Sequence, residues 1–526
     1  MLQLLSRSFR PHLYWSFYTR PTTQFAAHVH LNCLIWCDFQ NVSFFVDDSQ
    51  PSKDTQNERI RYPALLGLYY EIKDVCKMVV TPDDAHGDEI FDRRLGLVGA
   101  LSIGLGAMLG GGIYVIAGTA AGMIGPALVL AYLATGLLTI FTAVNYAELA
   151  CSIPKQGGGY TFTQDTIGGF PAFLTGWFLF IGNIVACGLY ALAVAHTIGV
   201  FIPGVVPPQT LGLIAIVIIV ITFLTNYASL KGVTGVLGIL NVVQSIILFS
   251  FIGLGLFFVK PDNISLIHPG LGLLTFMSTV SFIYISFVGF ELITTASEEI
   301  KEPARNIPRA IMLTLLIATL IYMAAALVLV GVTPYTDIAD SHTPISVVYE
   351  IMLGPGAFYL AIAGMAASNY AALNATFLAT SRIAYSMGRD RYFPTILERV
   401  SKKRKTPLPA LILTLILVSL FASSGDVDLV AHLADFGYLI GLSIVNYSVI
   451  VLRRKGLSVP GTFKGPFFPA IPIIGIITCL MLVPTLNLKA LQLGGILTIV
   501  GLFVFLVYGW NRNRDYIDAQ NGQQQE

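Results

Sequence analysis

From Leu95 onward the chain is a close succession of apolar segments of about 20 residues or more, the length that crosses a bilayer core. They fall near 95–123, 125–150, 169–202, 209–228, 233–259, 270–297, 307–332, 346–388, 407–423, 429–453, 467–486 and 490–510. In hydrocarbon every backbone N–H and C=O must be satisfied within the fold, which leaves helices or a closed barrel. The runs are long and lack the ten-residue alternation of barrel strands. The sequence therefore predicts an all-α membrane protein of about twelve spans. Composition agrees, since 55% of the 526 residues are hydrophobic and 12% charged, about half the charged share of a soluble domain. The segment 346–388 is too long for one span, and part of it is expected as a surface helix or re-entrant piece ahead of the crossing.

The connections sort by charge. One set carries Lys260 and Lys489, and its "IPGVVPPQT" has no basic residue. The opposite set carries Arg93, Arg94, Lys155, Lys231, Lys301, Arg305 and Arg309, then the dense "GRDRYFPTILERVSKKRKTP", then Arg453, Arg454 and Lys455. Basic residues collect on the cytoplasmic side, so the expectation is a multi-pass protein of the cell membrane with both termini cytoplasmic. Residues 1–90 differ: they hold two of the four tryptophans, three of the six cysteines and no run of spanning length. They are expected to form a poorly ordered amino-terminal extension. Two readings stay open, a cytoplasmic domain or a true start at Met78, where the polar lead "MVVTPDDAHGDEIFDRRLGL" begins. Residues 91–510 are the membrane domain and 511–526 a polar cytoplasmic tail. The net charge of +1 gives no argument for nucleic acid, and Cys33 and Cys37 lack the second ligand pair of a metal site.

Two spans carry signals that open a helix. The first contains "GAMLGGGIYVIAG", with Gly110, Gly111 and Gly112 in a row, each costing about 1 kcal/mol relative to alanine in a helix interior. The sixth contains "FIYISFVGFELITTASEEIKEPARNIPRA", where Gly289 sits between aromatics and Glu291 follows at a depth costly for a carboxylate. Backbone breaks at membrane depth are tolerated where they are buried in protein or line a cavity. Two interrupted spans in corresponding halves point to a transporter built on inverted repeats. Amides freed near Gly111, Gly112 and Ile113 favour an anion, and carbonyls freed near Phe287 and Val288 favour a cation. An amino acid zwitterion carries both. The bland alternative is a small-residue packing face.

The segments "GLVGALSIGLGAMLGGGIYVIAG", "AELACSIPKQGGGYTFTQDTIG" and "SFVGFELITTASEEIKEPARNIPRAI" resemble the signature segments of the amino acid–polyamine–organocation superfamily, and most nearly its prokaryotic permeases related to cationic amino acid transporters. The resemblance covers roughly residues 91–510. It implies a LeuT-type fold, ten helices in two inverted five-helix repeats plus two more, with helices 1 and 6 discontinuous. It also implies a substrate site made by Gly110, Gly111, Gly112 and Ile113, with Met108 just before them, for the carboxylate. Phe287, Val288 and Gly289 would serve the amine, with the Phe287 ring as a cap. Some of these permeases place a lysine in the fifth span, and here Gln244 falls at that position. Glutamine does not titrate but has a donor and an acceptor. Its two roles are a ligand to sodium or a bridge between helices. This leaves sodium symport, proton coupling through another acid such as Glu291, or exchange.

Other polar residues in the spans keep two readings each. Glu148 is a gating acid or one half of a helix-end ion pair. Glu291 holds the broken sixth helix together or takes part in proton traffic. His196 is a packing residue or a proton relay. Asp435 is a solvated helix-end residue or a cation-binding acid on the path. Asn183 and Cys187 are candidates to face the substrate side chain, and the absence of a carboxylate in mid-third span favours small or neutral amino acids over dibasic ones. No convergent catalytic set appears, and the glycines lack the lysine and hydroxyl of a P-loop. The function expected is secondary amino acid transport by alternating access, without a cofactor beyond a coupling ion, proton or sodium. An exchanger and a transporter-derived sensor are the rivals. Nothing in the sequence sets an oligomeric state.

Overall fold

A computed structural model describes residues 95–510 apart from 110–111, 156, 202–209, 229–232, 265–271, 296, 298–299, 340 and 402–405. The readings made on residues 1–90, Cys33, Cys37, Met78, Gly110, Gly111 and the tail 511–526 lie outside these residues. Within them the structure is helical, with no strand and one isolated bridge between Leu95 and Ile300.

The chain begins with α1 (Leu97–Met108), α2 (Gly112–Val115) and α3 (Ala117–Ile124), and the step from α1 to α2 falls on residues 110–111, outside the described ones. Hydrogen bonds from the Ile116 amide to Gly112 and from the Ala120 amide to Ile116 carry α2 into α3. Gly125, with φ of 58°, turns the chain into α4 (Leu128–Ser152). There follow α5 (Gly158–Thr166), α6 (Gly169–Phe201), α7 (Leu211–Ala228) and α8 (Val233–Gly255). The sixth segment is α9 (Leu273–Phe282), a tight turn over Tyr284–Phe287, and α10 (Leu292–Thr295), with a 45° bend between its halves. Then come α11 (Pro303–Val332), α12 (Pro344–Leu353), α13 (Pro355–Arg389), α14 (Leu408–Ala422), α15 (Val427–Arg454), α16 (Ala470–Leu482) and α17 (Leu488–Val504). The overlong eighth segment is thus resolved by Gly354, whose φ of 87° separates the short α12 from the full-length α13.

Nine helical stretches among the described residues are long and apolar enough to cross a membrane, or ten with the bent pair counted as one span. α12, α14 and the stretch Ala470–Thr485 are apolar but shorter. At the centre stands α6, buried along its most apolar stretch and packed chiefly against α15 and α13. α11 packs along α4. Apolar side chains such as Leu213, Leu224, Ile499 and Phe503 face outward, a surface suited to lipid rather than water. Hydroxyls within the spans are satisfied locally: Thr135 donates to the Ala131 carbonyl at 2.8 Å and Thr139 to Thr135 at 2.7 Å. Asparagines join helices instead, Asn145 of α4 donating to Asn446 of α15 at 2.8 Å and Asn446 to Thr142 at 3.0 Å. Asp426 caps α15 by accepting from the Leu429 amide, and Arg453 and Arg454 complement the dipole at its other end.

Candidate functional site

The two breaks meet backbone to backbone. A Cβ placed on Gly112 would lie 2.2 Å from the Ser286 hydroxyl oxygen and 2.6 Å from its Cα. Gly289 has φ of +131°, a region open in practice to glycine. A Cβ there would come within 3.0 Å of the Ala107 carbonyl carbon and the Met108 nitrogen. Glycine at these two positions is thus a requirement of close approach, which a small-residue packing face and a binding junction share. No amide among the described residues donates to the Phe287 or Val288 carbonyl. The Gly289 amide donates to the Glu291 carboxylate at 2.7 Å, so Glu291 does brace the broken sixth helix.

Side chains from four other helices fasten this junction. The Tyr322 hydroxyl of α11 donates to the Met108 carbonyl and lies 2.8 Å from the Ser286 carbonyl, bridging both breaks. Its ring packs with Tyr132 of α4 and Phe287, at centroid distances of 5.4 and 5.2 Å. Ser368 of α13 donates to the Leu109 carbonyl at 3.3 Å. Tyr114 donates to the main-chain carbonyl of Gln244 in α8 at 3.0 Å. The Gln244 side chain is buried. Its amide donates to Asn241 at 3.1 Å and its oxygen has no hydrogen-bond partner.

Beside the breaks lies a cavity of about 20 Å³, room for about one water molecule. Ala107, Val288, Gly289, Glu291, Asn183, Tyr190, Tyr438 and Thr376 contribute to its wall. Asn183 therefore does reach the cavity, where its carbonyl oxygen accepts from the Tyr438 hydroxyl at 2.9 Å. Cys187 and Phe287 are buried and not part of that wall; the Phe287 ring is turned toward Tyr132, Tyr322 and Gly136. Ile113 is buried behind Gly112. Among the described residues no three His, Cys, Asp or Glu side chains come together as metal ligands.

The remaining polar residues sort by position. Glu148 ends in a buried fork with Arg453 at 2.6 Å and also accepts from the Gly465 amide at 2.8 Å. The guanidinium donates to the Gly465 carbonyl and covers the Phe468 ring at 4.6 Å. The helix-end ion pair is therefore present. His196 is half-buried against His342, ring centroids 4.9 Å apart. Asp435 corrects the sequence reading: it is not a solvated helix end but fully buried, on a turn of α15 where Gly437 packs against Phe178 and Gly182 of α6. No sequence pattern singles out Tyr322, Tyr132 or Tyr438; a tyrosine inside an apolar span is the one signal they leave.

A family profile described as "Amino acid permease" matches residues 95–507. The chain belongs to the amino acid permease family. It is 28% identical over 438 residues to a branched-chain amino acid permease of Bacillus subtilis, covering 80% of this chain and 94% of that one. It is 29% identical over 403 residues to the methylthioribose transporter of the same organism, covering 74% and 87%. To the vacuolar cationic amino acid transporter 4 of Arabidopsis thaliana it is 28% identical over 380 residues, covering 69% and 63%. The protein is an amino acid permease of a membrane, a transporter and not an enzyme.

Proposed function

We propose that this permease is a secondary active transporter of small or neutral amino acids, working by alternating access in the cell membrane with both termini cytoplasmic. The observation that carries the reading is the contact of the two helix breaks, Gly112 against Ser286 and Gly289 against Ala107 and Met108. The substrate carboxylate is assigned to the amides of Gly110, Gly111, Gly112 and Ile113, and the ammonium to the Phe287 and Val288 carbonyls, which no described amide occupies. The architecture fits a LeuT-type arrangement of twelve spans if α14 and the Ala470–Thr485 stretch also cross. A neutral substrate is supported by the cavity wall, in which alanines, Val288 and Leu292 surround one carboxylate already engaged by the Gly289 amide. The name of the branched-chain permease points the same way.

With about 20 Å³ the cavity is too small for an amino acid, so loading requires it to widen. Gln244 cannot carry a proton, so no proton passes through the position where some relatives have lysine. Thermal unfolding of the purified protein against each of the twenty amino acids, followed by counterflow in liposomes, tests the reading. Stabilisation by a neutral amino acid and its counterflow are expected. Binding without counterflow would replace the transporter by a sensor, and preference for lysine or arginine would overturn the neutral substrate.

A further inference from the structure

One buried acid has no part in the site described so far. Asp435 lies two turns inside α15; none of its surface is exposed, and neither carboxyl oxygen has a hydrogen-bond partner. None of the ion pairs among the described residues includes it. An ionised carboxylate without a counter-ion in such a setting carries a large desolvation cost, so burial here favours the neutral acid.

Its neighbours are arranged in an informative way. From the sixth-segment break come the Ile285 amide and Tyr284, whose hydroxyl is buried and without a hydrogen-bond partner. From α6 comes Tyr190, and from the next turn of α15 comes Tyr438. Cys479 of α16 stands beside Tyr284, and Tyr146 of α4 faces Cys479 and Glu291. One turn outward, His432 packs on Phe282 with centroids 4.6 Å apart and leaves its Nδ1 unpartnered. Asp426 and Asp428 lie further out, at the start of α15. Tyr190 and Tyr438 line the cavity together with Glu291, and Tyr438 lies one turn along α15 from Asp435. The two acids differ in access: Glu291 lines the cavity and is partly exposed, whereas Asp435 is sealed.

We propose that Asp435 is a proton-binding residue of the transport cycle, loaded from the side on which α15 begins. A hydronium ion neutralises the Asp435 carboxylate when that side opens. The seal seen here forms over the neutral acid. The Ile285 amide beside Asp435 belongs to the segment that carries Ser286 and Phe287, so protonation is linked to the geometry of the break. This deepens the transporter reading and rests on it.

The test uses the full chain in liposomes loaded with a pH-sensitive dye and the amino acid selected by thermal unfolding. In the unaltered protein, substrate addition should acidify the lumen. A gradient of one pH unit should drive about tenfold accumulation for one proton per cycle. Asp435→Asn should reduce the ratio of uptake with and without the gradient to about one, as expected when no proton is carried. Asp435→Glu should keep the gradient response with a displaced pH midpoint, a readout that a purely structural role would not move. An Asp435→Asn variant that follows the gradient like the unaltered protein overturns the proposal. Where that variant fails to fold, an undisplaced midpoint in Asp435→Glu overturns it, as does counterflow in the unaltered protein with no dye response. Absence of counterflow at equal pH instead defeats the transporter reading, and the proposal falls with it for that separate reason.

Discussion

Replacing Gly112 by alanine probes the junction with a single methyl group. That methyl would sit 2.2 Å from the Ser286 oxygen and 2.6 Å from both its Cα and Cβ. Carbon atoms in contact rest at about 3.5–4.0 Å, so the two breaks must part by about 1 Å. Such overpacking costs about 1–3 kcal/mol, too little to prevent insertion of a chain with this much helical packing. A positional error of about 1 Å at a binding junction costs up to on the order of a hundredfold. Gly112→Ala should therefore insert, melt a few degrees lower and bind substrate about ten- to a hundredfold more weakly. Saturation binding and thermal unfolding of the detergent-purified protein read both effects. Adding Ser286→Gly removes the side-chain contacts but leaves the Cα at 2.6 Å, so the double variant should recover only part of the loss, read as a double-mutant cycle. Unchanged affinity in Gly112→Ala would show that the backbone contact has no role in binding, and complete rescue by Ser286→Gly would place the clash in the side chain alone.

Tyr322→Phe removes the donor shared by the Met108 and Ser286 carbonyls; a loss of about 1–2 kcal/mol is expected, seen as faster amide exchange around both breaks with the helices otherwise intact. Equal exchange would remove Tyr322 from the account. Glu148→Ala leaves Arg453 facing a buried gap and should destabilise by about 3–5 kcal/mol. Glu148→Ala with Arg453→Met should recover much of that in thermal unfolding, and no recovery would mean that the Gly465 contacts dominate.

Where the sixth segment breaks was legible in the sequence because the cause is local: glycine has no side chain, and Gly289 stands where the Ala107 and Met108 backbone comes close. The division of the overlong eighth segment was legible for the same reason, at Gly354. What escaped the sequence depends on partners far along the chain. Tyr322 reaches Met108 and Ser286 only because α11 runs beside both breaks, and no pattern around Tyr322 encodes that. The depth of Asp435 was misjudged because an acid eight residues into a span looks near enough to the surface to be wet; its burial comes from helices distant in sequence, α6 foremost. The Phe287 ring was expected over the substrate, and its packing against Tyr132 and Tyr322 is set by the smallness of Gly136, 151 positions earlier.

The bridge between Leu95 and Ile300 joins the beginning of α1 to the chain just past α10, with the Lys301 amide donating to the Leu95 carbonyl at 2.7 Å. It straps together the two half-helices on one side of the breaks, and the tight seating of Gly104 on Ile293 and Thr314 adds a second fastening. Any movement of one half relative to the other must first break this main-chain pair. Because the strap is main chain, side-chain scanning at 95, 300 and 301 would pass over it in silence. Proline at Lys301, which deletes the amide, is the substitution that would cut it.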